Sequence, residues 1–91
     1  MVVEIIIDKM DCTLKDLKIP KTHRLLWDWE VCKLKDKNKE LNGLLKDGFV
    51  WCMTDKGVRA AGLNYINDLF HVNGINNIGN QGRSRGVFVK K

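Results

Sequence analysis

The chain has 91 residues, 44% of them hydrophobic and 30% charged, a balance that points to one globular domain and excludes a disordered chain. Its apolar runs are a few residues long, too short to cross a membrane, and Glu4 and Asp8 break the first of them, which argues against a secretory leader. A net charge of +5 leans towards polyanionic partners.

Residues 2–10 carry two patterns at once. Val3, Ile6, Ile7 and Met10 recur at helical spacing, with Glu4, Asp8 and Asp11 on the other side. The β-branched content favours a strand instead. Two acids four residues apart on the polar face tip the expectation to an amphipathic helix. Thr13 and Asp16 have capping-box spacing before a short helix with Leu14 and Leu17 on one face. Pro20 stops it by pushing Ile19 out of the helical region. Thr22 is placed to cap another short helix through Leu25 and Leu26. In LLWDWEV, Trp27, Trp29 and Val31 alternate as in a strand, while Leu25, Trp29 and Cys32 fit a helix; both readings stay open.

Asn38 is expected to cap KELNGLLKD, where Leu41, Leu44 and Leu45 form one stripe and Gly48 supplies a left-handed stop. FVWCM reads as a short strand with Phe49, Trp51 and Met53 on one face. Thr54 is then expected to cap a long helix over 55–70, lined by Val58, Ala61, Gly62, Tyr65 and Leu69. Residues 73–86 hold four glycines and four asparagines and read as a mobile segment, with Val87–Val89 able to pair as a strand. The expected fold is mainly α with a small β element: a winged-helix-like domain over 1–72 and a Gly/Asn-rich basic tail over 73–91.

The order of helices, glycine stop, strand and Thr-capped helix resembles a winged helix with a reduced wing. Within that superfamily, VVEIIIDKM, LKDLKIPKTHRL, LLKDGFVWCMTDKGV and YINDLFHV resemble successive pieces of one family. It is the eukaryotic small-subunit ribosomal protein whose domain is shared with plectin (the plectin/S-ten family). The resemblance covers roughly residues 2–72. It implies a cytoplasmic, structural ribosomal protein that binds rRNA and neighbouring ribosomal proteins. A winged-helix DNA-binding regulator and a small protein-interaction domain are the alternatives.

The charge distribution supports binding rather than catalysis. Lys15, Lys18, Lys21 and Arg24 straddle the Pro20 turn, and Arg83, Arg85, Lys90 and Lys91 fill the end of the chain. These eight cations are the candidate nucleic-acid contacts, since such side chains neutralise phosphates and release counterions. Core packing is the plain reading of Trp27, Trp29 and Trp51, although an exposed one can stack on a base. Cys32 with His23 is the only nucleophile–base pair to consider, and no spacing joins them. Cys12, Cys32 and Cys52 lack the close pairing of zinc ligands and read as reduced, buried thiols. No enzymatic activity, metal, cofactor, membrane contact or small-molecule substrate is expected.

Overall fold

The computed structural model describes residues 4–64, 66–72 and 84–91. It is built around a sheet. Strands take up 45% of the described residues and helices 25%, so the mainly helical, winged-helix expectation is overturned. In chain order come β1 (Ile5–Cys12), one 3-10 turn (Leu14–Asp16), β2 (His23–Leu25), α1 (Asp28–Leu34), α2 (Lys39–Asp47), β3 (Val50–Thr54), β4 (Gly57–Leu63), β5 (Phe70–Val72) and β6 (Ser84–Lys90).

Strand β6 organises the sheet. One of its edges pairs antiparallel with β1, Ile7 facing Val87 and Cys12 facing Ser84. The other edge is shared. β3 runs parallel to Arg85 and Gly86, while β2 runs antiparallel to Phe88–Lys90. Beyond β3 follow β4 and β5, each antiparallel to its neighbour. The gap between β2 and β3 is closed by a parallel bridge between Trp27 and Met53 and by the Met53 amide donating to the Leu26 carbonyl at 2.8 Å. Of the stretch expected as a basic tail, residues 73–83 lie outside the described residues, and 84–90 form this central strand.

Alternation along the strands divides the interior in two. The front core holds Val50, Cys52, Ala61, Val87 and Val89 from the sheet, covered by Val31 of α1 and by Leu41 and Leu45 of α2. Burying each of these larger side chains contributes about 1.5–3 kcal/mol. The back core is smaller: Leu25, Trp51, Ala60 and Phe88, with Cys12, Leu14 and Leu17 packed over it. Trp51 Nε1–H donates to the Cys12 carbonyl at 3.0 Å and ties that covering segment to the sheet.

Several local expectations change for identifiable reasons. The β-branched run at the start forms β1, not a helix: Ile5 and Ile7 pack inward, whereas Ile6 and Met10 of the supposed apolar stripe are exposed. After Thr13 there is a single 3-10 turn, and the Thr13 hydroxyl donates to the Asp16 carboxylate instead of capping backbone. Thr22 leads into a strand, and LLWDWEV resolves into the end of β2 and the start of α1. The Asn38 cap is present, its side chain accepting from the Leu41 amide at 3.0 Å. Gly48 follows α2 with φ −174°, an extended conformation, so it is not the left-handed stop.

The largest change is at Thr54. It caps no helix but closes a β-hairpin: its hydroxyl accepts from the Lys56 amide at 3.1 Å and donates to the Gly57 carbonyl at 2.7 Å. Gly57 takes φ 100°, which only glycine adopts without strain, so Thr-Asp-Lys-Gly turns the chain straight back. In β4, Ala60 lies opposite Trp51 and Ala61 opposite Val50. Small residues face large ones, and cross-strand fit overrides the helix propensity of the alanines.

Candidate functional site

Pairing of β2 with β6 sets His23 opposite Lys90, and the Lys91 amide donates to the Thr22 carbonyl at 3.0 Å. The two basic segments of the sequence are thereby joined at one end of the sheet. Lys21, Lys90 and Lys91 are exposed there, and among the described residues they form no ion pair. The His23 ring shares a hydrogen bond with the Thr22 hydroxyl at 2.8 Å.

Arg24 belongs to the same strand but is already partnered. Its guanidinium makes a two-pronged contact with Glu30, Nη1 to Oε1 at 2.7 Å and Nη2 to Oε2 at 3.1 Å. These hydrogen bonds hold the Glu30 carboxyl below its ordinary pKa, against the opposing effect of burial, and raise that of Arg24. Glu30 Oε1 also accepts the Trp27 amide at 2.9 Å, so the ion pair fixes the first turn of α1. Because the folded pKa of Glu30 is depressed, its contribution to stability is complete above the ordinary glutamate value of about 4.3 and is lost as pH falls through the folded value. Glu30→Gln is expected to be less stable than the parent at pH 7, with the gap closing below about pH 4. Urea midpoints of both proteins across that range check this; a gap independent of pH would show that the Arg24 pair is not its source.

Beside the joined cations lies an open pocket of about 300 Å³. Its apolar walls are Ile19, Leu25, Trp27 and Met53, and its rim carries His23, Arg24 and Lys91. Trp27 is 40% exposed and Ile19 42%. Trp29 is more exposed still, and Lys33 Nζ lies 5.6 Å from its ring centroid, a surface cation–π contact. Core packing therefore describes Trp51 and fails for the other two tryptophans.

The remaining expected contacts are scattered. Lys15 stands exposed on the 3-10 turn. Lys18 lines a cleft with Lys9 and with Asp8, Asp11 and Asp16, where the carboxylates outnumber the cations and suit a phosphate poorly. Arg85 is half-buried in β6 and donates to the Asp8 carbonyl at 3.2 Å, a structural role. Arg83 lies outside the described residues. The pocket itself was not predicted; the two tryptophans flanking Asp28 at the start of a short helix were its one signal, because they cannot both face inward.

All three cysteines are free thiols. Burial, helped by nearby Asp28, pushes Cys52 up to about 12, which leaves it protonated and unreactive at neutral pH. Among the described residues no cluster of His, Cys, Asp and Glu is arranged to hold a metal, and no helix is long and apolar enough to cross a membrane. Comparison with known proteins finds no matching family model, no similar curated protein and no similar solved structure.

Proposed function

We propose that the protein is a non-enzymatic RNA-binding module that grips single-stranded phosphate backbone through Lys21, Lys90 and Lys91. The observation that carries this reading is the β2–β6 pairing, which turns two separate basic segments into one cationic surface beside an exposed tryptophan. Cations next to an aromatic platform are the arrangement by which single strands are held without sequence preference. The narrower form of the proposal makes rRNA the ligand and small-subunit ribosomal proteins the neighbours. It rests on the resemblance of short segments, and high-salt-stable co-sedimentation with small ribosomal subunits tests it. A cytoplasmic location belongs to the same proposal. The DNA-regulator alternative depended on a winged helix and is not carried further.

The test is the salt dependence of binding to a labelled single-stranded RNA. Neutralising Lys21, Lys90 and Lys91 together is expected to reduce the slope of log K against log salt by about 2, at roughly 0.7 per phosphate contact. Neutralising Lys15 and Lys18 is expected to change it less. A triple variant with the parental slope would overturn the assignment.

A further inference from the structure

We propose that the pocket walled by Ile19, Leu25, Trp27 and Met53 receives one unpaired nucleobase, stacked on Trp27, with the adjoining phosphate held by Lys91. This deepens the RNA-binding reading and rests on it. The chemistry of the pocket has two parts that match the two parts of a nucleotide. Its walls are apolar and include the Trp27 indole, while its rim carries the polar groups of His23 and Arg24 and the ammonium of Lys91, which has no ion-pair partner among the described residues. A base presents an apolar π-face, and its phosphate presents the complementary charge.

Size and rigidity agree with that occupant. A volume of about 300 Å³ is at the low end of roughly 300–1,000 Å³ for small-molecule sites, suited to one ring system and its sugar. The backbone that carries the platform is set in advance. The Trp27 amide is held by Glu30, and Trp27 is bridged to Met53 at the end of β3. Little backbone ordering therefore remains to oppose binding. A base stacked inside a duplex cannot reach the ring, so the ligand is a single strand. Base identity is read weakly, because the polar groups at the rim already have partners: His23 bonds Thr22, and Arg24 bonds Glu30 and the Leu25 carbonyl.

The experiment compares two labelled probes of equal charge, a ten-nucleotide oligoadenylate and an abasic ribose-phosphate decamer, by fluorescence anisotropy. The parent is expected to prefer the base-bearing probe. Trp27→Ala is expected to weaken oligoadenylate binding by about 5- to 150-fold and to leave the abasic probe unchanged. Trp27→Phe is expected to retain most of the preference, and Trp29→Ala, outside the pocket, all of it. Ile19→Asn removes an apolar wall at the exposed rim without changing charge and is expected to reproduce the selective loss should Trp27→Ala fold poorly. Unchanged oligoadenylate binding in Trp27→Ala, or an equal loss for both probes, would overturn the base pocket while leaving backbone binding by the lysines intact. Failure of the parent to bind either probe would overturn both readings.

Discussion

Trp51→Ala is expected to destabilise the protein by about 3–5 kcal/mol, the range for emptying a buried large aromatic site. A domain of this size has a total stability towards the lower end of about 5–15 kcal/mol, so the variant should be largely unfolded or close to it. Trp51 is 1% exposed and forms most of the back core with Phe88 and Leu25. The residue across the hairpin is Ala60, which has no side chain able to fill the space. The indole also donates to the Cys12 carbonyl, so its removal loses that hydrogen bond and loosens the segment that covers this face. Trp29→Ala, at 57% exposure, should lie within about 0.5 kcal/mol of the parent. Urea unfolding followed by far-UV circular dichroism separates the two. Equal midpoints for Trp51→Ala and Trp29→Ala would refute the division of the interior into two cores.

That contrast shows where the sequence was legible. The helix over Lys39–Asp47 could be read because three independent signals agree: the Asn38 cap, the Leu41–Leu45 spacing and the polar remainder. The strand at Val50–Thr54 could be read because a short apolar aromatic run follows a glycine. The pairing of Val87–Val89 was visible for the same reason, but its central place was not, because order in a sheet depends on partners far apart in the chain. Strand β4 was hidden by its own fit. Ala60, Ala61 and Gly62 are small because they face Trp51, Val50 and Phe49, and small residues in a row imitate a helix.

The candidate site was legible in composition and not in geometry. Charge counting found both basic segments, but their contact is a product of β2–β6 pairing, which no local pattern reveals. Counting also treats every cation alike. Arg24 is neutralised by Glu30 six residues later, and Arg85 is turned into the fold; only the three-dimensional arrangement gathers the exposed Lys21, Lys90 and Lys91 at one end of the sheet and leaves Lys15 and Lys18 elsewhere. Sequence position gave no reason to separate Trp27 from Trp51, yet one lines a surface pocket and the other is the back core.

Two glycine-to-alanine substitutions are expected to have opposite signs. At Gly43, inside α2, an added methyl meets nothing within 4 Å, and alanine is the better helix former. Gly43→Ala is expected to stabilise by about 0.5–1 kcal/mol. At Gly86 the methyl would lie 2.7 Å from Phe88 Cζ and 2.7 Å from Asp8 Oδ2. The Asp8 carboxylate ends a side chain that can swing aside. The Phe88 ring is 1% exposed and wedged against Trp51 and Leu25, so it has nowhere to go. Gly86 is also paired with Trp51 of β3, so backbone adjustment there would disturb the strand that organises the sheet. Gly86→Ala is expected to destabilise by about 1–3 kcal/mol, the range for overpacking a filled core. The cause can be isolated with a second site. Phe88→Leu alone loses packing, but it removes the ring that the new methyl strikes. The double variant Gly86→Ala with Phe88→Leu should therefore be more stable than the sum of the two single effects, by about 0.5 kcal/mol or more, because the residues are in contact. Urea midpoints of the parent, the two single variants and the double variant form the cycle. Strict additivity would mean that the Gly86 methyl is resisted by something other than Phe88, and a Gly86→Ala midpoint at the parental value would mean that β6 does not carry its ring over the glycine at all.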